Sequence, residues 1–272
     1  MIATTDLAER LAQADAALWV DWMHAVSDLP GDPHGVDVAA FDTVTALHVH
    51  GAPVPYYNRI LGLTDGHAAI IDETLGYYNE RFTPCRVDVN PFYSGPRLLI
   101  ALNDRGFHPS EFQTNLYMEP VEVEPVQVPG VQVREVRPEE TEFFSRLYEQ
   151  AYHGDRTPKR LARFRMDSIR ARIGRPGWRF YIALVDGVPA GGAALFVQDG
   201  VGHLAGGATM FTLRGRGCQK ALLNRRLLDA HAAGCEIVVS RCGVGTPSQR
   251  NMERAGLRTA YTKSIWQARS EL

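Results

Sequence analysis

Thr209-Met210-Phe211-Thr212-Leu213-Arg214-Gly215-Arg216-Gly217-Cys218-Gln219-Lys220-Ala221-Leu222-Leu223 is the stretch on which the reading of this chain turns. A strand of small and apolar residues runs into a turn with two glycines. The turn then opens a helix with apolar residues at Ala221, Leu222, Leu223, Leu227 and Leu228. The first-turn N–H groups of a helix have no partner within it and lie at the positive end of its dipole, so strand, turn and helix start together make an anion site. Glycine lets the backbone approach the guest closely. Arg214, Arg216 and Lys220 add formal positive charge, which makes phosphate the expected guest. Two common phosphate motifs are excluded by spacing: no Gly-Lys-Ser/Thr follows four residues after a glycine, and no three-glycine run precedes a distant ribose-binding acid.

Working outward, Arg179–Val185 and Val188–Val197 are expected strands joined by Asp186-Gly187, a favoured two-residue hairpin turn, and the strand Gly202–Phe211 follows Asp199-Gly200. Further upstream the pattern predicts a strand at Val131–Val136 and a helix over Pro138–Tyr152, with Glu139 and Glu140 complementing its dipole. After a loop, Tyr152–Arg156, Thr157-Pro158 starts a second helix that runs to about Ile173. Downstream come a helix over Lys220–Ala233, a strand at Glu236–Arg241, a helix over Ser248–Ala255 and a strand at Tyr261–Gln267.

Arg214-x-x-Gly217-x-Gln219 resembles motif A of the GNAT acyltransferase family, Arg/Gln-x-x-Gly-x-Gly/Ala, with Gln219 standing where a small residue is usual. Pro247-Ser248-Gln249-Arg250-Asn251-Met252-Glu253-Arg254-Ala255-Gly256-Leu257 resembles its motif B, and the element order of residues 131–272 is similar to that of the family. The resemblance implies an acyl-CoA cosubstrate, acetyl-CoA first, and no metal. It implies that Gly215, Arg216, Gly217, Cys218, Gln219 and Lys220 hold the pyrophosphate with Arg214 beside them. Backbone groups of Thr209, Met210 and Phe211 would line the pantetheine and the thioester carbonyl in a V between two parting strands, where a backbone N–H can stabilise an oxyanion. Ser248 and Asn251 stand where they reach the coenzyme arm, and Ser248 equally suits a helix cap. Cys218, at a helix start, reads as a packing residue rather than a nucleophile.

Acyl transfer to an amine needs one proton removed from the ammonium and one delivered to the leaving thiolate. Many members of the family supply the second from a Tyr four residues before the Gly of motif B; here that position is Met252. The replacements for that acid are Tyr261 and Tyr152, and the candidates for the base are His203, His153 and Asp155; each has an ordinary structural use beside the catalytic one. The expected activity is acyl-CoA-dependent N-acyl transfer, acetyl to a primary amine of a small molecule, by direct attack on the thioester. The alternatives are a non-catalytic acyl-CoA-binding sensor and a transferase acting on a protein amine.

The first half repeats the order of the second. A helix is expected over residues 6–27, then strands and helices at Thr43–His50, Gly66–Arg81, Arg86–Asn90, Ser94–Arg105 and Phe112–Met118. Asn103-Asp104-Arg105-Gly106-Phe107 matches Glu253-Arg254-Ala255-Gly256-Leu257, the mark of an internal duplication. Arg59-x-x-Gly62 is set against Arg214-x-x-Gly217, with Ile60, Leu61 and Leu63 replacing the residues that would bind phosphate, so this copy reads as degenerate. His48 and His50 alternate along a strand, and with no third ligand they read as structural. The expected fold is α+β, an α/β sandwich of two GNAT-like domains, each a mixed, mostly antiparallel sheet flanked by helices. A degenerate domain at 1–120 and a Pro-rich linker at 121–130 would precede an acyltransferase domain at 131–272.

A charge of −2 argues against nucleic acid or an anionic membrane as partner. The four cysteines form no C-x-x-C pair, and there is neither a basic-apolar leader nor a run of ~20 apolar residues. A cytoplasmic protein, monomer or homodimer, is expected.

Overall fold

The computed structural model describes residues 4–67, 69–119, 121, 123–154 and 157–268. By contacts the chain divides into two units. The first holds residues up to Asn115, Cys242–Val244 and the stretch from Ala260 onward; the second holds Leu116–Arg241 and Gly245–Thr259. This differs from a division at 120 and 131. The strand that ends the second half is counted with the first unit, and Glu124–Gly130 is strapped to the second. Asn224 takes the Val126 N–H on its Oδ1 (2.9 Å) and donates Nδ2 to the Glu124 carbonyl (2.7 Å), so one side chain pairs with two of the strap's backbone groups. Pro120 and Glu122 of the predicted linker lie outside the described residues.

The first unit contains α1 (Thr5–Ser27), β1 (Val36–Phe41), β2 (Val44–Val49), β3 (Arg59–Leu61), α2 (Ile71–Asn79), β4 (Arg86–Val89), α3 (Pro96–Asp104) and β5 (Phe107–Met118, to Asn115). Thr4 caps α1 by accepting the Leu7 N–H (3.2 Å). The expected residues Leu7, Leu11, Leu18 and Val26 are buried, and so is Asp15. With β11 (Arg258–Ala268) the strand order is β1-β2-β3-β4-β11-β5. β3 and β4 are parallel, while β1–β2, β2–β3 and β4–β11 are antiparallel.

Arg59 corrects the predicted correspondence. It lies inside β3, fully buried, with its guanidinium over the Trp19 ring at 3.9 Å, rather than in a turn at a helix start. The helix after β3 begins with Ile71, and Asp72 and Glu73 occupy its first turn, where they take the positive end of the dipole that an anion would need. His48, buried, bonds Thr83 Oγ1 through Nε2 (3.1 Å), a structural role.

The second unit follows the predicted order: β6 (Val131–Glu135), α4 (Thr141–His153), α5 (Lys159–Arg172), β7 (Trp178–Val185), β8 (Val188–Gln198), β9 (Val201–Thr209), α6 (Cys218–Ala232), β10 (Ile237–Gly243) and α7 (Pro247–Arg254). Its strands are ordered β10-β9-β8-β7-β6, with β6 to β9 antiparallel and β9–β10 parallel. Both Asp-Gly turns carry two successive positive φ values, the hairpin geometry that matches strand twist. α4 covers one face, with Phe144 against Gly192, and α6 covers the other, with Ala230 against Gly202. Among the described residues no helix is long and apolar enough to cross a membrane, and no group of three His, Cys, Asp or Glu residues is placed to hold a metal.

Candidate active site

β9 and β10 pair in parallel only from Val201/Ile237 to His203/Val239. Ser240 Oγ makes a last link to the Leu204 carbonyl (3.2 Å), and beyond it the strands part. On its other edge β9 carries a β-bulge: Ala193 faces Gly207 and Ala194 faces Ala205, so Gly206 is the extra residue. Its φ of +74° is one that a side chain adopts at a cost, and an added β-carbon would meet the Tyr148 hydroxyl. A cavity of about 600 Å³ opens between the parting strands. Gly206, Gly207 and Ala208 lie along it, and at one end it reaches the start of α6, with Ser248, Asn251 and Met252 of α7 also in its wall.

The α6 end has the groups that an anion cradle needs. Gly217, at φ +84°, is the N-cap and supplies no side chain to the first turn. The N–H groups of Gly215, Arg216 and Gly217 have no hydrogen-bond partner among the described residues. Arg214, whose Nε donates to the Thr209 carbonyl (3.2 Å), and Lys220 line the same end, and Gln219 Nε2 donates to Thr209 Oγ1 (3.0 Å). No Asp or Glu lines the cavity among the described residues.

Of the predicted coenzyme residues, Thr209, Arg214, Gly215, Gly217, Cys218, Gln219, Lys220, Ser248 and Asn251 come together around this cavity. Met210 and Phe211 are not in its wall; Phe211 is exposed beneath the Arg214 guanidinium, 5.3 Å away. Arg216 turns aside to pair with Asp186 (2.5 Å), so only its backbone belongs to the cradle. Burial raises the pKa of the Cys218 thiol, the opposite of what an activated nucleophile needs. Thr246, one residue before α7, supplies the cap predicted for Ser248, accepting the Gln249 N–H at 3.3 Å.

The proton-transfer candidates separate. Tyr152, in the last turn of α4, lines the cavity near Gly206. His203 is buried in β9 and outside the cavity wall. Tyr261 lies on the part of β11 counted with the first unit, where Asn90 Nδ2 donates to its hydroxyl (3.3 Å). His153 is also outside the wall; burial, with Arg165 nearby, pulls its pKa down to about 4. Asp155 lies outside the described residues.

Arg226 and Ser240 are wall residues that the sequence reading passed over. Arg226 is 3% exposed on the sheet-facing side of α6. Its Nη1 donates to the carbonyls of Ala194 (3.1 Å) and Gly206 (2.8 Å), and its Nε to that of Leu222 (3.1 Å). Burial brings its pKa down to about 10, so it stays charged at neutral pH. Two signals pointed this way: an arginine among Leu222, Leu223, Leu227 and Ala230, and the adjacent glycines Gly206-Gly207 inside a strand.

Among solved structures, the chain is similar to the GCN5-related N-acetyltransferase from Kribbella flavida, with TM-score 0.68 and 17% identity over 97% of this chain and 96% of that one. It is also similar to a GCN5-related N-acetyltransferase from Sphaerobacter thermophilus (TM-score 0.60, 14% identity, 84% and 82% covered). A tandem GNAT protein from the clavulanic acid biosynthesis pathway is a third (TM-score 0.59, 16%, 83% and 78%). The chain has the GNAT fold. No protein-family model and no curated protein matches its sequence. In this GNAT fold the cavity lies in the second unit, between the strands flanking α6.

Proposed function

We propose that the chain transfers an acyl group, acetyl in the simplest case, from coenzyme A to a primary amine of a small molecule. The observation that carries this reading is the parting of β9 from β10 beside a helix start with open N–H groups. The cradle Gly215–Lys220, with Arg214, takes the pyrophosphate. The pantetheine amides replace the missing strand pairing along Gly207–Thr209. The amine nitrogen attacks the thioester carbon, a β9 N–H steadies the oxyanion, the C–S bond breaks, and the Tyr152 hydroxyl gives its proton to the departing thiolate. The amine loses its proton to solvent, since among the described residues the wall holds no histidine or carboxylate. A cytoplasmic location and a monomeric or homodimeric state belong to the same proposal, as does a domain boundary in 121–130.

A second reading, a non-catalytic acyl-CoA sensor, is favoured by Met252, which lines the cavity where a tyrosine acid is usual. Thiol release from acetyl-CoA with a panel of amines separates the two: tight coenzyme binding without turnover sinks the enzyme reading. Lys220→Glu tests the cradle, with coenzyme affinity expected to fall on the order of tenfold or more, about 1.4 kcal/mol. Unchanged affinity overturns the placement of the pyrophosphate.

A further inference from the structure

We infer that Arg226 binds a carboxylate at the acyl end of this cleft, carried either by the acyl group or by the acceptor amine. The inference rests on the coenzyme reading above and names the chemistry of what that site handles. Among the described residues Arg226 is a buried cation with no acidic partner, and the groups facing it are the phenols of Tyr148, Tyr181 and Tyr152. A guanidinium presents five N–H donors, and here three of them meet carbonyls through Nε and Nη1. Nη2 makes no hydrogen bond among the described residues, and the residue forms part of the cavity wall.

Its place along the cleft fits a role at the reacting end. Arg226 follows Gly217 by nine residues, about 13 Å along the helix axis from the phosphate cradle at ~1.5 Å per residue. There it sits against the bulge carbonyl of Gly206, across from Tyr152. A methyl group or a neutral amine leaves the two Nη2 donors unmet on a buried guanidinium. A carboxylate takes both and neutralises the buried charge. Among the described residues the wall carries no competing acid, and the polar residues that β10 adds to it are Ser240 and Arg241.

The test uses the full chain. Coenzyme A binding is first measured by calorimetry. Turnover is then compared in two arms: malonyl- or succinyl-CoA against acetyl-CoA with one neutral amine, and an α-amino acid against its carboxamide with acetyl-CoA. The expected result is a kcat/KM ratio of about tenfold or more for the carboxylate-bearing partner in one arm, and that arm identifies the source. In Arg226→Met the ratio collapses toward one, and in Arg226→Lys, which keeps the charge, part of it survives. Arg226 also ties the bulge carbonyls, so melting curves accompany both variants; if the Met variant does not fold, the wild-type ratios and the Lys variant decide. Coenzyme binding and turnover with no preference in either arm, or a preference kept in Arg226→Met, overturns the inference and leaves the coenzyme reading intact. No coenzyme binding at all overturns both.

Discussion

At Gly217 and Gly215 the same residue type stands for two different constraints. A β-carbon at Gly217 would press on Val128 Cγ1 of the strap, so bulk there disturbs packing as well as any ligand, and its loss of function would be ambiguous. At Gly215 a β-carbon would meet nothing within 4 Å, which is why the charge of Lys220 gives the cleaner probe of the cradle. Tyr152 is the proton-transfer candidate that the fold delivers to the cavity. Tyr152→Phe is expected to lower kcat roughly 10²-fold with little change in KM, and to remove the alkaline limb of the rate profile. An unaltered kcat would move the acid role to solvent. The apolar setting of Arg226 was legible in the sequence but its partners were not, because Ala194 and Gly206 come from two strands and the bulge brings both carbonyls to one guanidinium.

Among the elements, those with strong local punctuation were readable. The Asp186-Gly187 and Asp199-Gly200 turns fix β7, β8 and β9, and Thr157-Pro158 fixes the start of α5 to within a residue or two. β1 was missed because Val36-Asp37-Val38-Ala39-Ala40-Phe41 mixes an acid and two alanines, weak strand formers whose pairing with β2 supplies what their propensity lacks. β3 was missed because three residues are too few to show a period. The β9 bulge is the element-level feature that aims backbone into the cleft, and it depends on Gly206 holding φ +74°. Gly206→Val is expected to cost about 1–3 kcal/mol from backbone strain and the encounter with Tyr148, read as a fall of several degrees in Tm. Coenzyme-dependent turnover should fall further than stability does. A variant with unchanged Tm and activity would mean that the bulge is dispensable.

Over the whole molecule, duplication was legible from the repeated helix-Gly-strand pattern, but the destination of the last strand was not. β11 follows α7 in the chain, yet from Ala260 onward it is counted with the first unit, where it pairs with β4 and brings Lys263 between Asp15 and Asp88 (2.8 and 2.7 Å). Burial pushes the Asp88 pKa up, but Arg59 and Lys263 together outweigh it and leave the carboxyl below its usual 3.8. A pKa depressed in the folded state contributes stability above the unfolded value, and that stability is lost as pH falls through the folded value. Lys263→Met removes one of the two pulls, so the acid-unfolding midpoint, followed by tryptophan fluorescence, is expected to move to higher pH. An unmoved midpoint would falsify this account of the cluster. A fragment of residues 1–120 lacks this strand altogether and is expected to give a poorly cooperative melt; a sharp, native-like transition would show that β4 does not need it.

The placement of β11 also sets a timetable. During synthesis, every residue of the first unit up to Asn115 leaves the ribosome long before Ala260, so β4 waits with an open edge while the entire second half is made. At about 5–20 residues per second that interval lasts on the order of ten seconds, during which an unpaired strand edge is available to any other extended chain. Folding of the first unit is therefore tied to the synthesis of residues 260–268 rather than to that of residues 1–115, and a premature stop near residue 255 would leave both halves present and one of them unfinished.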